Sequence, residues 1–146
     1  MLRHVFSLLL MAVAPNLGGA QTIQDSLAGK ACNEHTFVVA PGTQALTVTL
    51  STPSATYFDT YGTTDFDLRV SDPQGRRTGG WTCSNSTAPT EIPGATYNGL
   101  SASPESVGVR SPTPGQWTVT VWAYLGSGAY AVSVDQRPSL PPGDDR

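Results

Sequence analysis

The feature that most constrains the fold is a strict alternation of apolar and polar side chains, clearest in "QWTVTVWAY", residues 116–124. Trp117, Val119 and Val121 share one face of an extended strand, and the residues between them, with Trp122, share the other. This alternation is typical of a strand with one buried face and one face in water. It predicts an antiparallel sheet, because the strands of a parallel sheet are covered on both faces.

The same pattern recurs along the chain, in "FVVA" at 37–40, "LTVTLS" at 46–51, "DFDLRV" at 65–70 and "YAVSV" at 130–134. Weaker candidates are "GWTCS", "ATYNGL" and "ESVGVR". Gly, Pro, Asn and Asp separate these segments and leave no room for crossover helices. The sequence therefore predicts an all-β, antiparallel β-sandwich. The one short stretch that favours a helix is Gln21–Lys30.

The first twenty residues have the order of a secretory signal peptide. A positive charge at Arg3 precedes an apolar run over Val5–Val13, and small residues follow at Gly18 and Ala20. The run is far shorter than the roughly 20 apolar residues of a membrane helix. We therefore expect removal of residues 1–20 near Ala20, a secreted or periplasmic protein, and no membrane span.

Composition divides the remaining chain into a single domain with two flanking pieces. We predict an N-terminal lead-in over 21–35 and a sandwich over 36–136. A flexible tail over 137–146 is predicted because that segment is rich in proline and polar residues. A chain of this size buries roughly two-thirds of its unfolded surface, which is enough for a true core.

The two cysteines, Cys32 and Cys83, predict a disulfide. An even number of cysteines in an exported chain indicates a bridge. Two cysteines this far apart cannot form a zinc site alone, because structural zinc takes four ligands. Closing a loop of this length contributes on the order of 4 kcal/mol in the chain-entropy model.

The charge balance argues against a nucleic-acid partner. The chain has 8 Lys and Arg against 11 Asp and Glu, and only 13% of its residues are charged. Its longest basic run is Arg76-Arg77, whereas nucleic-acid binders carry a basic patch or stripe.

Catalytic machinery is sparse in the sequence. His35 is the only histidine after the signal peptide, Lys30 is the only lysine, and no Gly-x-Ser-x-Gly motif occurs. A serine nucleophile needs a neighbouring base. Asp65 and Asp67 lie two residues apart on one strand, so they point in parallel and do not face each other across a sugar. We therefore expect a protein that is not an enzyme.

Asp65 and Asp67 admit two other interpretations. In the first they are the water-exposed half of an alternating strand whose inner face includes Leu68. In the second they help to bind calcium, with Asp59, Asp72, backbone carbonyls and water completing the six to eight oxygens that calcium needs. Both interpretations place the two carboxylates on the surface.

Trp122 and Tyr124 are the candidate ligand-binding residues. They fall on the face of the strand opposite Trp117. An exposed Trp-Tyr pair can stack on a sugar ring or on a protein surface. The alternative is that a loop covers this face or that a bulge turns one ring inward.

The stretches "DFDLRVSDPQG" and "PTPGQWTVTVWAYLGSGAYAVSV" together resemble the bacterial pre-peptidase C-terminal (PPC) domain. The family pattern is Asp-x-Asp-Leu-x-Val, then Pro-Gly-x-aromatic-x-Val-x-Val, then an aromatic residue, Gly and Tyr-x-Leu-x-Val. The matching positions are Asp65, Asp67, Leu68, Val70, Pro114, Gly115, Trp117, Val119, Val121, Tyr124, Gly126, Tyr130, Val132 and Val134.

The resemblance implies a jelly-roll-like sandwich of about eight strands, without catalytic activity. The collagen-binding modules of clostridial collagenases are similar in fold and use calcium. The function predicted from this likeness is a secreted module that binds an extracellular protein or polysaccharide. The alternative is a structural or chaperone-like helper of a separately encoded secreted peptidase.

Overall fold

In a computed structural model of the chain, the residues described are 19–52, 64–100, 102 and 104–138. They form nine β-strands and no helix within these ranges. The strands are β1 (Ala20–Leu27), β2 (Cys32–Val39), β3 (Thr43–Ser51), β4 (Asp65–Ser71), β5 (Arg77–Gly79), β6 (Ala95–Tyr97), β7 (Glu105–Arg110), β8 (Gly115–Leu125) and β9 (Gly128–Pro138).

The strands form two sheets, with the orders β1-β9-β3-β7-β6 and β2-β8-β4-β5, and every pairing is antiparallel. Without the short β6, each sheet has four strands, and β1, β2, β3 and β4 alternate between the sheets. That is the order of a jelly roll. The predicted all-β, antiparallel, jelly-roll-like sandwich is confirmed, with nine strands where about eight were expected.

The core lies between the two sheets and follows the alternation in the sequence. The strands contribute their inward residues at every second position, as the two-residue period of a strand requires. The predicted inner faces of β3, β4, β8 and β9 are all buried. Their members are Leu46, Val48, Leu50, Phe66, Leu68, Val70, Trp117, Val119, Val121, Tyr130, Val132 and Val134.

The predicted helical patch at Gln21–Lys30 is wrong. Residues 20–27 are strand β1, which pairs with β9 over eight register positions, from Ala20 opposite Asp135 to Leu27 opposite Gly128. Long-range pairing with β9 overrides the weak local preference for a helix. The segment predicted as a lead-in, 21–35, therefore contains β1 and the first part of β2. As an edge strand, β1 is mostly polar and exposed, which discourages pairing with other chains.

The predicted signal peptide and tail fall largely outside the described residues. Of the signal peptide, the structure describes only Gly19 and Ala20, and of the tail only Arg137 and Pro138. Across the described ranges, no helix has the length and apolar character to cross a membrane.

Candidate functional site

The candidate site lies on the outer face, which we define as the side of the β2-β8-β4-β5 sheet turned away from the core. The register places Glu34, Thr120 and Arg69 side by side across β2, β8 and β4. One step further along the strands, Cys32 lies beside Trp122. Because side chains two positions apart share a face, these two rows form one continuous surface.

A connection that follows β5, residues 80–91, folds over this surface. Its backbone carbonyls accept hydrogen bonds from the buried side chain of Arg69. Arg69 Nε and Nη2 donate to Gly80 O at 2.8 and 2.5 Å, and Nη2 also donates to Thr87 O. A disulfide between Cys32 and Cys83 attaches the connection to β2, with an S–S distance of 2.02 Å. The predicted disulfide is thereby confirmed.

Reduction of this disulfide should destabilise the domain by about 2–4 kcal/mol and lower its melting temperature by several degrees. The bridge closes a loop with a sequence separation of 51 residues, and its loss releases chain entropy in the unfolded state. Calorimetry with and without reductant measures the effect. A thiol assay that finds two reactive cysteines in the folded, untreated protein would contradict the assignment.

Three aromatic rings and one lysine form a cluster at one end of the outer face, which we call the aromatic cluster. Its members are Trp81, Trp122, Tyr124 and Lys30. The Trp122 and Tyr124 ring centroids are 5.3 Å apart, and Trp81 lies 6.4 Å from Trp122 and 5.6 Å from Tyr124. The two contacts of Tyr124 are edge-to-face, a geometry that aromatic quadrupoles favour.

Lys30 is held against the rings by its own backbone. It adopts a left-handed conformation, with φ of 64°, in the turn between β1 and β2, and its N–H donates to Ala123 O at 2.8 Å. Its Nζ lies 4.3 Å from the Tyr124 centroid and 5.8 Å from that of Trp122, and it donates to Tyr124 O. A cation over aromatic faces adds attraction beyond packing.

The two predicted ligand-binding residues differ in exposure. Tyr124 is 39% exposed, whereas Trp122 is half-buried, and its Nε1 is buried without a hydrogen-bond partner among the described residues. Trp81 and Lys30 both lie close to the Trp122 ring. Sequence reasoning missed Trp81 and Lys30, since both come from connections whose positions depend on the fold.

Beside the aromatic cluster lies a polar pocket of about 270 Å³. Thr120 and Ser71 lie at its sheet side, Glu34 belongs to β2, and Arg77 belongs to β5. The covering connection contributes further lining residues, and the pocket is open to solvent on part of its surface. The full lining is Cys32, Glu34, Arg69, Ser71, Arg77, Thr82, Cys83, Ser84, Asn85 and Thr120.

The expectation that Asp65 and Asp67 are both exposed is half wrong. Asp65 is exposed, but Asp67 is only 3% exposed. The covering connection passes so close that a Cβ on Gly80 would lie 3.1 Å from Asp67 Oδ1 and 2.9 Å from the Tyr97 hydroxyl. The alternation of apolar and polar residues correctly predicts which face of β4 Asp67 occupies. It carries no information about the covering connection, which comes later in the chain and buries this face.

Burial of Asp67 brings it near a second buried carboxyl, Glu105. Glu105 lies at the start of β7, is 4% exposed, and accepts a hydrogen bond from Leu68 N at 2.8 Å. Burial and the nearby charge of Asp65 raise the pKa of Asp67 to about 7, against the opposing effect of Arg69. Burial also raises the pKa of Glu105 to about 8. The hydrogen bond from Leu68 N on β4 to Glu105 on β7 links the two sheets at this end.

The calcium hypothesis for Asp65 and Asp67 stays a prediction. Within the described ranges, no group of three or more His, Cys, Asp or Glu side chains is arranged to hold a metal ion. Calcium takes six to eight oxygens, so two carboxylates alone fall short. Asp59, named as a further ligand, lies outside the described residues.

His35 belongs to a polar network on a different side of the sandwich. Its Nε2 lies 2.6 Å from the hydroxyl of Tyr130 and 3.5 Å from a carboxylate oxygen of Asp25. Asn33 donates to the same hydroxyl and to the same carboxylate. Within the described residues, no serine or threonine hydroxyl bonds to this histidine, and the network joins β1, β2 and β9.

Neither a protein-family model nor a curated protein sequence matches the chain. Among solved structures it is similar to PliG of Aeromonas hydrophila, a periplasmic lysozyme inhibitor of g-type lysozyme, with a TM-score of 0.49 and 14% identity over 82% of this chain and 88% of that one. It is also similar to a PliG mutant from Escherichia coli, with a TM-score of 0.45 and 11% identity over 86% and 95% of the two chains. A third likeness is to the SPBc2 prophage-derived protein YomS, with a TM-score of 0.41 and 14% identity over 83% and 97%. What this chain binds must follow from its own side chains.

Proposed function

We propose that the chain is an exported, non-catalytic module that binds an extracellular protein or polysaccharide through its aromatic cluster. The observation that carries the proposal is the partly exposed aromatic cluster on the outer face, in which Lys30 lies against the rings. Trp and Tyr are the residues most enriched among those that dominate binding energy, because they offer large contact areas.

Rigidity of the cluster supports the same function. Tyr124 and Trp122 lie on β8, which is hydrogen-bonded to a neighbour on each side, β2 and β4. Trp81 lies two residues from the disulfide at Cys83. Side chains that are ordered before binding lose less entropy when a ligand arrives, which favours affinity.

Export is supported by the disulfide between Cys32 and Cys83, because such bonds persist in oxidising compartments such as the periplasm or the cell exterior.

The absence of catalysis is supported by His35, whose ring is engaged with Tyr130 and Asp25. A serine or cysteine hydrolase that uses histidine as its base would need that ring beside the nucleophile. The resemblance to the PPC domain, which is a non-catalytic accessory module, agrees with both points and remains a prediction.

Retention on insoluble polymers tests the function directly. We expect the purified chain to be retained by at least one of collagen, chitin and bacterial cell-wall material. Tyr124→Ala should weaken the binding behind that retention by about thirtyfold or more, because hot-spot truncations cost about 2 kcal/mol or more and each 1.4 kcal/mol is tenfold.

Val38 provides a matched control for this experiment. It is 63% exposed on the outer face of β2, opposite Gln116 and distant from the aromatic cluster along the sheet. Val38→Ala should leave retention unchanged. Equal losses in the two variants, or no retention of the unmodified chain on any of the three materials, would contradict the proposal.

A further inference from the structure

The polar pocket has hydrogen-bonding groups that the protein itself leaves unused. The carboxylate of Glu34 is exposed and forms no ion pair or hydrogen bond within the described part of the chain. Asn85 accepts through Oδ1 from Thr87 N at 2.9 Å and Thr87 Oγ1 at 2.7 Å, which leaves its Nδ2 group as a donor. The pocket therefore offers an acceptor and a donor to a ligand.

The cations of the pocket are already neutralised or engaged. Arg77 forms an ion pair with Glu91, with Nη2 2.7 Å from Oε1. Arg69 donates to two backbone carbonyls of the covering connection. With Glu34 contributing a negative charge, the pocket has no excess positive charge for a polyanion. A ligand that matches it is neutral and rich in hydroxyl groups.

The pocket and the aromatic cluster are close enough to bind one ligand together. Thr120 in the pocket and Trp122 in the cluster share a face of β8 two residues apart, about 7 Å along the strand. A sugar ring has an apolar C–H face that packs on aromatic rings and a rim of hydroxyls that hydrogen-bonds to carboxylates and amides. The volume of about 270 Å³ is near the lower end for small-molecule sites and suits one ring.

We propose that the outer face binds a neutral saccharide chain, with one sugar ring in the polar pocket against Glu34 and Asn85 and a neighbouring ring on Tyr124. The proposal rests on the proposed binding function and specifies its ligand. Glu34 accepts hydrogen bonds from two hydroxyls of the ring, and Asn85 Nδ2 donates to a third oxygen. Charge-assisted bonds of this kind are the strongest available to a neutral ligand.

Calorimetric titration of the exported chain with soluble hexasaccharides tests the proposal. The probes are the β1,4-linked hexamers of N-acetylglucosamine, glucose and mannose. We expect saturable binding of at least one of them. Glu34→Gln and Tyr124→Ala should each weaken it by about tenfold or more, since hydrogen bonds to charged groups and aromatic contacts have that magnitude.

One variant is a control and another is a further test of the pocket. Asp135→Asn removes an exposed carboxylate from β9, in the other sheet, and should not change the affinity. Asn85→Ala should also weaken binding, because it removes the Nδ2 donor together with the oxygen that accepts from Thr87. All of these residues except Asn85 are exposed, so melting temperatures close to that of the unmodified chain show that the variants fold.

The outcomes separate this proposal from the binding function. Binding weakened by Tyr124→Ala but unaffected by Glu34→Gln would overturn the role of the pocket. A second outcome is that no hexasaccharide binds at millimolar concentration while retention on collagen depends on Tyr124. This outcome would overturn the proposal of a saccharide ligand and would indicate a protein ligand. Failure of both experiments would overturn both proposals.

Discussion

Replacing Trp117 with alanine is expected to lower the free energy of unfolding by about 3–5 kcal/mol. Trp117 is fully buried near the start of β8, stacks on Phe37 with centroids 6.3 Å apart, and donates from Nε1 to Thr113 O at 2.8 Å. The substitution removes a large apolar surface, leaves a cavity between the sheets and removes one hydrogen bond. Urea denaturation followed by circular dichroism measures the change.

Trp122, on the opposite face of the same strand, is the matched comparison. It is half-buried in the aromatic cluster, so Trp122→Ala should cost about 1–2 kcal/mol, within the usual range for partly buried sites. The variant should instead reduce retention on the polymer that the unmodified chain binds. Equal losses of stability at the two tryptophans would show that the outer face contributes to the core.

The sequence predicts the sandwich well, because the alternation that specifies each strand lies within a few consecutive residues. Every second residue is apolar over 46–50 in β3, 117–123 in β8 and 130–134 in β9, and only an extended strand buries such a set on one side. The disulfide follows from cysteine number and export. The strand β1 was missed because its side chains are mostly polar, and its place in the fold depends on the hydrogen-bonding edge of β9.

Only the part of the candidate site that lies on β8 could be predicted from the sequence, because the rest depends on long-range contacts. Trp122 and Tyr124 follow from the alternation of β8, whereas Trp81 reaches them from a connection whose course depends on Arg69 and the disulfide. The same connection buries Asp67. Glu105 could have been found, since alternation with Val107 and Val109 places it on the inner face of β7.

The buried carboxyls lead to a second large effect. Between pH 5 and pH 8 we expect the free energy of unfolding to decrease by on the order of 4 kcal/mol. The pKa of Asp67 is raised from 3.8 to about 7 and that of Glu105 from 4.5 to about 8, chiefly by burial. The unfolded chain therefore releases these protons at a lower pH than the folded protein does.

The sign follows from proton binding in the two states. Below about pH 3 both states hold the protons, and these carboxyls have no net effect on stability. As pH rises, the unfolded state ionises first, so each further pH unit favours unfolding until the folded protein also loses its protons near pH 7 to 8. The groups that face Asp67 and Glu105 are Asp65 and Arg69 on β4 and Tyr97 on β6. Arg69 favours ionisation of Asp67, and Leu68 N and the Tyr97 hydroxyl favour ionisation of Glu105, but the effect of burial on each pKa is larger.

Glu105→Gln isolates this effect. The glutamine amide oxygen can still accept the hydrogen bond from Leu68 N, but the buried charge is removed. The variant should be more stable than the unmodified chain by about 1–3 kcal/mol at pH 8 and nearly equal to it at pH 5, because only the pH-dependent penalty is lost.

Asp135→Asn removes an exposed carboxylate and should leave the pH dependence unchanged. Denaturation curves at several pH values measure both. If the Glu105→Gln and unmodified proteins lose stability in parallel from pH 5 to pH 8, the carboxyl of Glu105 is ionised without cost in the folded protein, and its burial between the sheets does not control the response to pH.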